Sequence, residues 1–229
     1  MTSFLLIHGA YQGGWIWRDV AARLSAGGHR VLAPSLDGCA ERRHALRPGI
    51  TTESHAAELA DLLFHEDLRD VVLAGTSTGG MVLCKTAELA RERIARLVFV
   101  DALALRDGER LADVVKRRPG EITDLAAGPT RDDAEARLFA ELDPATRAWA
   151  LARYGLHPKA ALEAPVVLPA FWGQSWQARV VHCARSPNPP EAHQRRTADS
   201  LGAPWHQLAT GHYPMLTVPA ELAALIAQG

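Results

Sequence analysis

Gly75-Thr76-Ser77-Thr78-Gly79 stands between an apolar run, Asp70 to Ala74, and a segment of helical character, Gly79 to Ala90. The pentapeptide fits Gly-x-Ser-x-Gly, and a strand-to-helix junction is the setting that gives this pattern chemical meaning. A turn this tight requires small flanking residues, and it thrusts the serine hydroxyl out at the end of the strand. The helix that follows aims its positive end at any anion developing there. Read without that setting, the same residues would be a Gly-rich turn carrying an incidental serine.

Outward from this turn, strand-like and helix-like segments alternate. Toward the N-terminus lie Ser3 to His8 as a short apolar strand, Trp15 to Leu24 as a helix stopped by Gly27-Gly28, Arg30 to Ala33 as a strand closed by Pro34, and Glu53 to Phe64 as a helix. In the last of these Ala56, Leu59, Ala60 and Leu63 form the apolar stripe. Toward the C-terminus Arg96 to Val100 is a strand. The alternation then stops from about Leu103 to Gln177, a stretch punctuated by prolines from Pro119 to Pro169. It resumes with Arg179 to His182 as a strand, Glu191 to Leu201 as a helix, Trp205 to Leu208 as a strand and Ala220 to Ala227 as a helix. This pattern predicts an α/β fold: a parallel sheet covered by helices on both faces, with a helical cap inserted between two strands. The expected division is residues 1–102 and 178–229 for the core and 103–177 for the cap. Ligands of open α/β sheets sit beyond the carboxyl ends of the strands, where such a cap would lie.

Composition narrows the function classes. Of 229 residues, 48% are hydrophobic and 22% charged, which suffices for a packed core and excludes disorder as the chain's main character. Lys and Arg number 25 against 26 Asp and Glu, so a nucleic-acid partner, which would favour a basic stripe, is not expected. No run approaches the roughly 18 consecutive apolar residues of a membrane span, and Met1 to Gly9 lacks the basic start of a signal peptide. Cys39, Cys84 and Cys183 form neither a disulfide framework nor a metal-ligand spacing, which suits a reducing, cytoplasmic setting. The expected partner is a small-molecule substrate, with self-association as a homodimer left open.

A serine hydroxyl is a poor nucleophile until a base takes its proton. Gly211-His212-Tyr213-Pro214, in the loop after the last strand, places His212 where it can reach a serine beyond the end of a neighbouring strand. Of the 10 histidines, His44, His55, His65 and His193 are expected in polar loops or on helix surfaces. His8-Gly9-Ala10, at the exit of the first strand, could turn backbone N–H groups toward Ser77. Ala10 and Thr78 are the candidate oxyanion-hole donors.

Together these residues resemble the α/β-hydrolases, in particular the branch of plant methyl esterases, hydroxynitrile lyases and bacterial esterases. The resemblance spans nearly the whole chain. It rests on His8-Gly9-Ala10, Gly13-Gly14-Trp15, Trp17, Ala26-Gly27-Gly28-His29-Arg30-Val31, Ala33-Pro34, Gly38, Gly79-Gly80, Asp101-Ala102, Gly211-His212 and Pro219. It implies about six parallel strands in the order 2-1-3-4-5-6, and acyl transfer that needs no metal or organic cofactor. Two departures stand out. Thr76 replaces the histidine usual before the serine. Ser186 occupies the place of the triad acid, in Cys183-Ala184-Arg185-Ser186 followed by Pro187-Asn188-Pro189-Pro190. A serine cannot stabilise an imidazolium by charge, and in a serine protease that loss can cost about four orders of magnitude in turnover. Asp101, directly after the fourth strand, is the candidate substitute, as in some lipases of the wider fold. Glu191 and Asp37 are weaker candidates.

The expected activity is cleavage of a carboxylic ester (methyl ester, lactone or thioester) of a small aromatic or polyketide-like molecule. Ser77 serves as nucleophile, His212 as base and Asp101 as acid. Gly9 and Tyr213 disfavour cyanohydrin cleavage, because the lyases they resemble carry threonine and lysine at these places. Trp149, Phe171, Trp172 and Tyr213 are the expected pocket residues. A cyclase, aldolase or lyase using His212 alone as base is the alternative, motivated by Ser186. A catalytically inert binder is a third, opposed by retention of Ser77, His212 and the Gly9-Ala10 turn. The Arg- and Ala-rich composition suggests a bacterial source and secondary metabolism.

Overall fold

In a computed structural model of the chain, residues 1–116 and 120–228 are described; Pro119 lies outside them. Six strands form a parallel sheet: β1 (Ser3–Ile7), β2 (Arg30–Leu32), β3 (Val71–Ser77), β4 (Ile94–Ala102), β8 (Ala178–Cys183) and β9 (Trp205–Leu208). Their spatial order is β2-β1-β3-β4-β8-β9, and every pairing is parallel. Counting only these strands, the order is the expected 2-1-3-4-5-6.

Why the sheet is double-sided can be read from its alternation. Phe4, Leu6, Val72, Ala74, Val98 and Val100 point to one face, where they pack with Val20 and Leu24 of α1 (Arg18–Ala26) and with the C-terminal helix (Pro219–Ala227). Leu5, Ile7, Leu73, Leu97 and Phe99 point to the other. There they meet Leu59 and Leu63 of α2 (Thr52–His65), Leu83 and Ala87 of α3 (Gly79–Leu89), and Ala198 of the helix Glu191–Leu201. Each fully buried side chain of this size stabilises the fold by about 1.5–3 kcal/mol. The inner strands β1, β3 and β4 are covered on both faces and read as near-continuous apolar runs, whereas the edge strands β2 (Arg-Val-Leu) and β9 (Trp-His-Gln-Leu) are partly exposed. α2 begins at a capping box in which Thr51 Oγ1 accepts from Ser54 N–H and Ser54 Oγ accepts from Thr51 N–H.

The insertion between β4 and β8 is less helical than its sequence suggests. It contains a three-stranded antiparallel sheet of β5 (Glu121–Ile122), β6 (Ala126–Gly128) and β7 (His157–Pro158), with short helical segments around it. Strands of two or three residues have no room for a periodic signal. Among the described residues, no helix is long and apolar enough to cross a membrane, and no cluster of three His, Cys, Asp or Glu could hold a metal ion.

Candidate active site

The end of β3 departs from regular geometry in a way that sets up the site. Ser77 has φ +52°, a left-handed conformation that non-glycine residues adopt only under constraint. Part of the constraint is steric: a Cβ on Gly79 would lie 2.6 Å from the carbonyl oxygens of Ile7 and His8, so α3 starts pressed against β1. Beside it, the β3–β4 register slips. Thr76 pairs with Val100 and Ser77 with Ala102, so Asp101 is an extra residue with φ +44°. The Leu103 N–H closes the junction on the Ser77 carbonyl at 2.9 Å. Two strained residues on adjacent strands thus carry the serine and a carboxylate.

Asp101 is fully buried. A carboxylate there needs donors, and it has them. Oδ2 lies 2.6 Å from His212 Nδ1, Oδ1 accepts from Gln194 Nε2 at 2.7 Å, and Cys183 N–H approaches Oδ1 at 3.4 Å. Because a carboxylate only accepts, the His212 proton facing it sits on Nδ1, which leaves Nε2 free to take a proton. His182 Nδ1 lies 3.9 Å from Asp101 Oδ1.

Ser186 also comes near His212, with Oγ 3.5 Å from Nδ1. Its hydroxyl proton is donated to the Asn188 carbonyl at 2.8 Å, so only lone pairs remain for the ring. Asp101 is the closer and charged partner. The other two carboxylates point elsewhere: Asp37 is paired with Arg47 and Arg42, and Glu191 with Arg195, its Oε2 3.8 Å from His182 Nε2.

Ser77 and His212 line one cavity of about 690 Å³, together with Ala10, Thr78 and Tyr213. The strand-exit turn at Gly9 packs directly on the serine: a Cβ there would lie 2.6 Å from Ser77 Cβ. His8 fixes that turn. Its ring donates from Nδ1 to the Gly9 carbonyl at 2.7 Å and accepts at Nε2 from Leu36 N–H at 2.9 Å. Burial lowers its pKa to about 4, so it stays neutral. On the opposite side, Glu141 of the insertion accepts the Gly211 N–H at 2.8 Å and holds the loop that carries His212.

Three of the four expected pocket aromatics do not line this cavity. Phe171 is fully buried, stacked on Trp176 at 5.1–5.2 Å from its aromatic neighbours. Trp172 donates its indole N–H to the Leu105 carbonyl and lies under Arg106. Trp149 packs edge-on against Trp15, with Arg18 and Arg153 over its ring. Packing and cation–π contacts account for all three, and Tyr213 alone reaches the cavity. The rest of the wall combines an aliphatic part, Leu103, Leu111, Val115, Ile122 and Leu138, with Tyr11 and the charged side chains Lys116, Glu121 and Arg137.

Two histidines expected at the surface are interior. His193 Nε2 accepts from Ala104 N–H, and His55 Nε2 donates to the Asp37 carbonyl. Sequence reasoning also missed Gln194 and Glu141. The sequence hides Gln194: the buried stripe of the helix Glu191–Leu201 is His193, Gln194, Thr197 and Ala198, three polar residues in four, which reads as a solvent-facing side.

A sequence profile described as "Alpha/beta hydrolase family" matches residues 4–225, and the chain belongs to that family. Its reaction class is carboxylic ester hydrolysis. It is 32% identical to the carbendazim hydrolyzing esterase of Nocardioides sp. (strain SG-4G), over 99% of both chains. It is 33% identical to putative methylesterase 14 of Arabidopsis thaliana over 52% of this chain and 35% of that protein. Among solved structures, an extracellular alpha/beta-hydrolase from a Paenibacillus species superposes with a TM-score of 0.84 at 20% identity, over 99% of this chain and 98% of the other. A pyrethroid hydrolase from Sphingobium faniae superposes at 0.75 and 22% identity, over 99% and 96%.

Proposed function

We propose that the protein hydrolyses carboxylic esters of small, compact, largely apolar molecules through an acyl-serine on Ser77. The observation that carries this reading is the contact of Asp101 Oδ2 with His212 Nδ1 at 2.6 Å, in a cavity that also holds Ser77. His212 Nε2 takes the Ser77 proton as the oxygen attacks the ester carbonyl. The Ala10 and Thr78 N–H groups receive the developing oxyanion. The imidazolium, stabilised by Asp101, then gives its proton to the leaving alcohol. A water activated by the same nitrogen attacks the acyl-serine, and the acid leaves.

The aliphatic part of the wall, Leu103, Leu111, Val115, Ile122 and Leu138, favours an apolar core in the substrate, with Lys116, Glu121 and Arg137 available to polar substituents. The cavity is of a size to enclose a molecule with a one- or two-ring core, in the range of small-molecule sites. The full-length relative that hydrolyses carbendazim places that compound in the first panel to be tried. A cyclase or lyase drew its motive from a histidine without an acid, and the 2.6 Å contact of Asp101 with His212 favours the hydrolase reading over it.

The test is intact mass after exposure to a fluorophosphonate, with hydrolysis of a panel of methyl esters and carbendazim measured in parallel. A single adduct on the wild type, lost in Ser77→Ala together with hydrolysis, is expected. Hydrolysis that survives Ser77→Ala would overturn the acyl-serine reading.

A further inference from the structure

We propose that Gln194 is a positioning residue for this chemistry: its side-chain amide locks Asp101 so that one carboxylate oxygen is reserved for His212. The inference rests on the hydrolase reading above. A carboxylate has two equivalent oxygens and a soft terminal torsion, so an Asp facing two imidazoles can divide itself between them. Asp101 faces His212 from the loop after β9 and His182 from β8, with the Cys183 thiol beside it and Glu191 behind His182. Gln194 resolves the ambiguity. Its Nε2 donates to Asp101 Oδ1 at 2.7 Å, while Oδ1 to His182 Nδ1 is 3.9 Å, beyond a hydrogen bond.

The orientation of that amide is itself fixed. Nε2 also donates to the Pro189 carbonyl at 3.1 Å, and both of its partners can only accept. One side chain therefore ties together the buried acid and the loop Pro187-Asn188-Pro189, which forms part of the cavity wall. Gln194 is 1% exposed, so water cannot readily take over its role. This loop directly follows Ser186, the position where the family's acid is expected. Gln194 holds the carboxylate on β4 against the same His212 nitrogen that Ser186 approaches at 3.5 Å.

Gln194→Leu and Gln194→Glu, in the full chain, test the proposal. The readouts are the rate of Ser77 phosphonylation by a fluorophosphonate and the pH profiles of kcat and KM for 4-nitrophenyl butyrate. Gln194→Leu is expected to lower kcat and the phosphonylation rate by about 10- to 100-fold, the rate equivalent of one hydrogen bond to a charged group, with KM within about twofold. Gln194→Glu can donate only while protonated. Its kcat is expected to fall as pH rises through the ionisation of the new carboxyl, a limb the wild type lacks. A folded Gln194→Leu with wild-type kcat, or a loss carried by KM alone, overturns the proposal. Should Gln194→Leu fail to fold, the pH profile of Gln194→Glu decides, and a wild-type profile overturns it. A wild-type Ser77 that resists labelling overturns the hydrolase reading and this one with it. A labelled wild type and an undiminished Gln194→Leu overturn this one alone.

Discussion

Asp101 Oδ2 stands 2.6 Å from His212 Nδ1 across 111 residues of sequence, and a one-residue slip in a strand pair puts it there. Were β3 and β4 in unbroken register, position 101 would be an ordinary strand residue opposite Ser77, its side chain committed to one sheet face. The bulge turns it instead toward the loop after β9. Positive φ at Ser77 and at Asp101 costs about 1–3 kcal/mol for each residue, strain of the kind that persists when surrounding packing over-determines it.

Ser186→Ala is expected to leave kcat/KM within about threefold of the wild type. Its hydroxyl is committed to the Asn188 carbonyl, and an exposed-side neutral hydrogen bond contributes little to a charged imidazole. Steady-state kinetics on any ester the wild type cleaves will show it. A loss of a hundredfold would return the orienting role to position 186.

Gly9→Ala is expected to destabilise the fold by about 1–3 kcal/mol and to reduce activity more than tenfold, because overpacking here must move the serine or the turn. The new methyl would lie 2.6 Å from Ser77 Cβ and 3.1 Å from the Thr76 carbonyl, neither of which is the free end of a flexible chain. Thermal unfolding together with phosphonylation rate separates the two effects.

Glu141→Ala removes the acceptor for the Gly211 N–H, and Glu141→Gln keeps one. The first is expected to lower kcat by about three- to tenfold, one net hydrogen bond's worth, and the second to stay near the wild type. Equal losses in both would mean that charge, through Arg185, matters more than the clamp.

Stability should fall in mildly acidic solution. Burial lowers the pKa of His8 to about 4, and burial with Arg196 nearby does the same to His193. In the unfolded chain both titrate near 6.5, so below that pH the unfolded state binds more protons. The stabilising contribution is complete above about pH 6.5 and drains away as pH falls toward 4, by up to about 3 kcal/mol for each histidine. Urea midpoints between pH 7.5 and 4.5 will register this, and His8→Asn should flatten the slope.

Much of this arrangement is legible in the sequence, and the limits have physical causes. The inner strands announce themselves because a sheet buried on both faces needs apolar runs, the edge strands Arg30–Leu32 and Trp205–Leu208 show through the alternation with helices, and the Gly-rich turn fixes which strand bears the serine. Asp101 could be nominated because the resemblance shows Ser186 in the acid's place and some lipases of the wider fold carry their acid after the fourth strand. The bulge that aims Asp101 could not be seen, since register is a property of two strands and leaves no mark on either. Trp149, Phe171 and Trp172 misled because a cluster of aromatics is as well used in packing as in a pocket. Gln194 went unnoticed because its polar atoms answer a carboxylate 93 residues away.

The most direct test of the account is the rate of Ser77 phosphonylation in Asp101→Asn against the wild type, with fold checked by circular dichroism. An asparagine cannot stabilise the imidazolium and can favour the wrong tautomer of His212, so a fall of about a thousandfold or more is predicted. A rate within tenfold of the wild type would contradict the claim that Asp101 completes the site.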